Sequence, residues 1–282
     1  NANVNKRTHY VKSKGMYGPW QMPEDDTLDS FLFYAGRTAS DGENRYLVAW
    51  NPERTGEDLA MKLGVRDVDQ PPLRQYEDLA PFGYAGDMVM HRLGQKENGD
   101  LMVMMIPSFR EPFVQEVPFV FQSLQGEKWT VREQGAAVIS PEKFSCALTH
   151  KLPSCYLAEM TVKLNGHEGG IAIGADEAFY GKGIFLHIEP KHGRVNVISG
   201  LRDRPYVGYC LPFCVEQECF VQPDEQGAYR LLILQSGELI SVYINGQALS
   251  LRAVNAKDGS LGLFAYAGSL EVSDLKVFCC KE

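Results

Sequence analysis

Phe31-Leu32-Phe33-Tyr34-Ala35, Ser40-Asp41-Gly42-Glu43-Asn44 and Arg45-Tyr46-Leu47-Val48-Ala49-Trp50 follow one another closely in the chain. The outer two segments are rich in aromatic and other apolar residues and the middle one in turn formers, so together they read as a β-hairpin. A second hairpin is expected where Asp87-Met88-Val89-Met90-His91-Arg92-Leu93 and Leu101-Met102-Val103-Met104-Met105 flank Glu97-Asn98-Gly99-Asp100. Its Asn98-Gly99 pair supplies positive φ with little strain. Helical patterning is nearly absent; the best stretch, residues 55–63, would give about two turns.

Further along, Ser108-Phe109-Arg110-Glu111-Pro112-Phe113 changes the texture of the chain. Pro112 cannot donate to a central ladder, so a domain boundary is expected there. Beyond it, strands are expected over residues 156–164, 170–174, 183–188, 229–234, 239–244, 259–266 and 270–278, with Asn245-Gly246 and Asp258-Gly259 at tight turns. In the 239–244 segment Ser241 and Tyr243 alternate with apolar residues, as for a strand with one buried and one wetter face. The expected fold class is all-β, with a jelly-roll-like, concanavalin-type β-sandwich over residues 111–282.

Composition narrows the partners. The chain has 282 residues, 44% hydrophobic and 23% charged, with 27 Gly and 15 Pro. That excludes a mainly disordered chain and a coiled coil. A net charge of −8, spread along the sequence, offers no basic field for nucleic acid or an anionic membrane. No apolar run approaches the roughly 20 residues of a membrane helix. The sequence opens Asn1-Ala2-Asn3-Val4, so a removed targeting segment or a longer parent chain is expected. The 7 cysteines lie in the second half without C-x-x-C spacing and read as small buried thiols.

Two segments carry a resemblance to a known family. Leu28-Asp29-Ser30-Phe31-Leu32-Phe33-Tyr34-Ala35, then Asp41-Gly42, then Tyr46-Leu47-Val48-Ala49-Trp50, is similar to the late-propeller D-F-Y-A motif of glycoside hydrolase family 32, the invertases, inulinases and levanases. The run from Gly83 through Arg92-Leu93 to Gly99-Asp100-Leu101 resembles the strand and D-G-x-L turn that close that propeller. Tyr17-Gly18-Pro19-Trp20 is similar to a G-P-W loop of related five-bladed glycosidases. Residues 236–244 and 259–278 resemble the family's appended sandwich. Leu32 and Ala49 depart from the motif, replacing an Asp and a Gly; this bears on fructose specificity more than on fold.

The resemblance implies that residues 1–110 are the last strands of a five-bladed β-propeller, completed by missing N-terminal blades. It also implies a fructan or sucrose-like carbohydrate substrate, an extracellular or periplasmic location, and hydrolysis by two carboxyl groups about 5 Å apart. The family's W-x-N-D-P-N-G, R-D-P and E-C-P-D motifs do not occur in suitable places. No catalytic residue is therefore assigned, the carboxylates are expected upstream of residue 1, and this chain alone is expected to be inactive. The resemblance also implies that Tyr34 and Trp50 line the sugar pocket and are the substrate-binding candidates; physically, aromatic faces stack on sugar rings and a phenol adds one directional hydrogen bond. The other reading is that both are core aromatics.

Other features are read structurally. Arg202-Asp203-Arg204-Pro205 and Glu218-Cys219 match catalytic motifs only in part and are read as polar loop groups. Glu24-Asp25-Asp26 with Asp29 is read as a solvated acidic loop and Asp67-Val68-Asp69 as a polar linker. His187 and Glu189 are expected to form a surface pair, Trp20 to pack within its loop, and Met88, Met90, Met102, Met104 and Met105 to fill a blade core. No metal or cofactor is expected. A non-catalytic carbohydrate-binding or structural module is the competing function, because sandwiches of this kind are also lectin-like.

Overall fold

The computed structural model describes residues 7–30, 33–54, 82–179, 182–199, 215–253, 256 and 258–281. Phe31, Leu32, residues 55–63, Asp67 to Asp69, Arg202 to Pro205, Cys210 and Cys214 lie outside them. Among the described residues the regular structure is all strand, apart from two 3₁₀ turns. None of their helices is long and apolar enough to cross a membrane.

Strands β1 (Thr8–His9) and β2 (Thr27–Leu28) pair with each other. A four-stranded antiparallel meander follows: β3 (Tyr34–Ser40), β4 (Arg45–Arg54), β5 (Phe82–Gln95) and β6 (Leu101–Met104). The first hairpin closes at Ser40 opposite Arg45, and its leading strand is described from Tyr34. The second closes through Gly99, whose φ of 86° is the left-handed value expected of the Asn-Gly turn.

After the 3₁₀ turn Pro107–Arg110, twelve strands join one folded-over sheet. They are β7 (Phe113–Glu116), β8 (Gln122–Gln125), β9 (Thr130–Arg132), β10 (Gly135–Lys151), β11 (Cys155–Ala175) and β12 (Ile184–Glu189). Then come β13 (Arg194–Ser199), β14 (Val215–Phe220), β15 (Ala228–Ser236), β16 (Leu239–Ile244), β17 (Gln247–Arg252) and β18 (Ser260–Cys280). One run of neighbours is β14-β13-β12-β11-β15-β16-β17, while β18 bridges β10 and β11.

Two expected pairs of strands prove to be single long ones, β11 and β18. They pair from Tyr156 opposite Cys279 to Ala175 opposite Ser260. Along β11 the core takes Tyr156, Ala158, Met160, Val162 and Leu164, then switches parity to Ile171 and Ile173. On β18 it takes Leu261, Leu263 and Ala265, then Leu270 and Val272. Gly166 lies opposite Gly268 at this switch, and a Cβ on Gly166 would come within 2.5 Å of the Gly268 Cα. Only paired glycines let both strands turn over there without parting, which is how a sheet folds into two layers around one core.

The meander docks on that sandwich. Leu47, Ala49, Val89 and Val103 from its inner face pack with Leu28, Phe33, Tyr243 and Ala248. Burying an aliphatic side chain contributes on the order of 1.5–3 kcal/mol, so this cluster fixes the small sheet against β16 and β17. The Val103 amide adds a 2.8 Å hydrogen bond to the Gly246 carbonyl.

Five expectations are corrected. Asp29, expected in a solvated acidic loop, is buried, and Glu218 and Cys219, expected in a loop, lie on β14 with Cys219 buried. His187 is buried, its ring 4.7 Å from that of Phe264 on the aromatic side of β12, and Glu189 bonds Arg194 and Asn196 instead. The reason is that the β12 face expected to be wet is covered by Phe144, Phe179 and Phe264. Trp20 is 60% exposed rather than packed. Met88 is 67% exposed because it lies on the outer face of the small sheet, and the other four methionines of that stretch are half-buried.

Candidate functional site

The outer face of the small sheet carries an aromatic row. Tyr34 on β3 pairs with Trp50 on β4, which pairs with Met88 on β5. Directly opposed residues on antiparallel strands point to the same face, so the three side chains stand side by side. The Tyr34 and Trp50 rings are 5.5 Å apart between centroids and only 17° from parallel. Tyr34 is 37% exposed and Trp50 half-buried. A bulge between Tyr34 and Arg37, with Ala35 at φ 56°, re-aims the start of β3. The two sequence candidates are thus brought together as neighbours, and neither belongs to the buried clusters.

Behind this row, on the inner face, lies a polar cluster that sequence reading did not single out. His91 on β5 donates through Nε2 to Asp29 Oδ2 at 2.6 Å, and its Nδ1 is 2.9 Å from the Tyr243 hydroxyl. Asp29 Oδ1 accepts from the Ser250 amide at 2.6 Å and from the Ser30 amide at 2.5 Å. Ser30 Oγ donates to the Ser250 carbonyl at 2.6 Å. Asp29, Ser30, His91, Tyr243 and Ser250 are all buried. Burial alone would raise the Asp29 carboxyl, but the charge and hydrogen bond of His91, with the bonds from Ser250 and Ser30, hold it below its ordinary value. Burial and then the Asp29 charge push the Tyr243 phenol far up.

Arg252 extends the same seam. It donates to Asp87 of β5 and lies 3.5 Å from Glu238. Strand β17 thus holds the segment leading into the small sheet at Asp29 and the sheet itself at Asp87. The only sequence signal for this cluster was a Ser and a Tyr alternating with apolar residues in β16. Asp29 was read as part of a solvated acidic loop and His91 stood inside a motif-like segment, with no hint that they meet.

The remaining candidate carboxylates are engaged elsewhere. Glu218 lies 3.6 Å from Arg7, which also reaches the Glu218 carbonyl. Asp25 accepts from the Thr27 amide and hydroxyl and from Gln247, and Asp26 lies 3.0 Å from His9. No group of three ligand-type side chains able to hold a metal occurs among the described residues. Cys146 and Cys219 are buried thiols, and burial pushes Cys146 up to about 11. A cleft of about 740 Å³ opens between β6 and the sandwich, lined by Met104, Met105, Glu159, Arg230 and Lys276, away from Tyr34 and Trp50.

The fold and this row define a class: an all-β protein in which a four-stranded meander, carrying outward-facing aromatics, is locked onto a β-sandwich. Comparison with solved structures makes the class narrower. An exo-inulinase from Aspergillus awamori matches with a TM-score of 0.60 at 10% identity, over 98% of this chain and 50% of that one. A fructan 1-exohydrolase IIa from Cichorium intybus matches at 0.56 and 16% identity, over 91% and 50%. A glycoside hydrolase family 32 β-fructofuranosidase from Bombyx mori matches at 0.54 and 12% identity, over 100% and 49%. No protein-family model and no curated protein matches the sequence.

At these identities the likeness shows the fold, and it is the fold of family 32 enzymes, as the two motif-like segments implied. The chain spans about half the length of the structures it matches.

Proposed function

We propose that this chain is the propeller-end and sandwich portion of a family-32-like glycoside hydrolase acting on fructosides or a related carbohydrate, and that Tyr34 and Trp50 form part of its sugar platform. In this reading residues 1–110 are closing strands of a β-propeller and residues 111–282 the sandwich. The carboxylates of the retaining reaction come from propeller blades outside these residues, and the parent enzyme works outside the cytoplasm. One observation carries the reading: the near-parallel pair of an exposed Tyr34 and a half-buried Trp50 sits on the small sheet of a fold shared with fructan-acting enzymes. Stacked aromatic faces meet the apolar face of a sugar ring, and the Tyr34 hydroxyl offers a directional bond.

In this reading Glu218, 3.6 Å from Arg7, is a structural ion-pair partner. The test is titration of the 282-residue chain with inulin-type and levan-type oligosaccharides, followed by tryptophan fluorescence. Saturable quenching is expected in the parent and its loss in Trp50→Ala; a response unchanged by that substitution would defeat the platform. Hydrolysis of sucrose, inulin or levan by this chain, abolished by Glu218→Gln, would overturn the placement of the carboxylates elsewhere.

A further inference from the structure

Cys155 opens β11 and Cys280 closes β18, the two strands that zip the sandwich together. Tyr156 pairs with Cys279, so in this antiparallel register Cys155 stands directly opposite Cys280. Their sulfurs are 3.9 Å apart, and both side chains are half-buried, within reach of a small reagent. Directly opposed residues have Cα atoms about 4.5–5.5 Å apart, inside the roughly 4.4–6.8 Å span that a disulfide bridges. Cys279 points to the other face of β18 by the period-two alternation of a strand. Cys146 and Cys219 are buried elsewhere in the sheet.

We propose that Cys155 and Cys280 are a disulfide site, closed by a small-molecule disulfide such as oxidised glutathione, which clips the end of β18 to the start of β11. One cysteine, as its thiolate, attacks the reagent and forms a mixed disulfide, releasing one small thiol. The second, also deprotonated, attacks the protein sulfur of that mixed disulfide and displaces the other small thiol. Two Sγ–H bonds are lost, one Sγ–Sγ bond forms, and the reagent is reduced by two electrons. Burial and the neighbouring Cys280 raise the Cys155 thiol to about 11, so closure speeds up as pH rises toward that value. The clip restrains the long loop between the two positions, and such cross-links typically raise stability mainly through the unfolded chain.

The test reduces the protein, exposes it to oxidised glutathione at pH 8.5, alkylates the remaining thiols and digests with trypsin without reductant. A cross-link between the peptide of residues 152–163 and that of residues 277–281 is expected. The second peptide contains Cys279 as well as Cys280, so Cys279→Ser and Cys280→Ser decide the partner. The cross-link should persist in Cys279→Ser and vanish in Cys280→Ser. Oxidised parent protein should melt about 5–15 °C higher than reduced protein, reversibly. Full alkylation of Cys155 after oxidation, a cross-link that needs Cys279, or an unchanged melting temperature would each overturn the proposal. The parent and Cys279→Ser results stand even if Cys280→Ser folds poorly.

Discussion

Asp29 Oδ2 and His91 Nε2 are 2.6 Å apart, and neither side chain is reached by solvent. The two residues belong to the small sheet and its approach strand, yet Asp29 and His91 also hold Ser250 and Tyr243 of the sandwich. A buried carboxylate–imidazole hydrogen bond is weak evidence for net stability, but removal of one partner leaves an unsatisfied buried group. This pair therefore acts as a keyed joint. It tolerates one docking position of the small sheet, and so one placement of Tyr34 and Trp50.

Replacing Asp29 by Asn should cost about 1–3 kcal/mol at neutral pH, the penalty of leaving buried donors without the carboxylate, read by urea denaturation. The sign with pH follows from the lowered Asp29 carboxyl. Its contribution is fully present above the unfolded value, near pH 4, and fades as pH falls through the lower folded value. The stability gap between parent and Asp29→Asn should thus narrow on acidification. A gap that stays constant from pH 7 to pH 2 would show that the Asp29 charge plays no part.

At the platform, Trp50→Ala and Tyr34→Ala should each weaken fructo-oligosaccharide binding about 10-fold, in line with aromatic contacts worth about 0.5–1.5 kcal/mol beyond area burial. Tyr34→Phe should retain most of the affinity, since stacking survives and one hydrogen bond is lost. Melting temperatures should move little, because Tyr34 is 37% exposed. Calorimetric titration checks this, and collapse of the fold in either alanine variant would return both residues to the core.

The hairpins were legible because their turns are chemically explicit: Asp41 accepts from the Glu43 and Asn44 amides, and Gly99 takes positive φ. The continuity of β11 and β18 was not. Their apolar alternation breaks at residues 165–169 and 267–269, which in one dimension looks like two loops. Only the pairing of Gly166 with Gly268 shows both breaks to be one shared turn of the sheet. The adjacency of Tyr34 and Trp50 was legible in the hairpin, whereas the Asp29–His91 joint depends on contacts more than sixty residues apart that no local pattern encodes.

That shared turn can be tested on its own. A Cβ on Gly268 would stand 2.3 Å from the Asn165 carbonyl oxygen and 2.5 Å from the Gly166 Cα, both backbone atoms that cannot swing away. Gly268→Ala should cost about 1–3 kcal/mol as overpacking, and Gly268→Val more. Gly42→Ala is the control at a turn where a Cβ meets no neighbour, although its φ of 102° leaves a backbone penalty of about 1 kcal/mol. Thermal denaturation that ranks Gly42→Ala as the more damaging would refute the steric account.

Asn245 links a turn to the docking surface. It adopts φ 46° and Gly246 follows at 84°, the two positive values of a tight hairpin turn. Its Oδ1 accepts from the Arg230 amide at 2.8 Å, and its Nδ2 donates to the Gln222 and Ala228 carbonyls. Asn245→Gly keeps the backbone freedom and loses only those bonds, so about 1–2 kcal/mol is expected. Asn245→Ala loses the bonds and adds left-handed strain, for about 2–3 kcal/mol in all. Because the Gly246 carbonyl accepts from Val103, loosening this turn should also speed amide exchange at Val103 on β6. Exchange there that stays at parent rates in Asn245→Ala would mean that the small sheet is held without help from the turn.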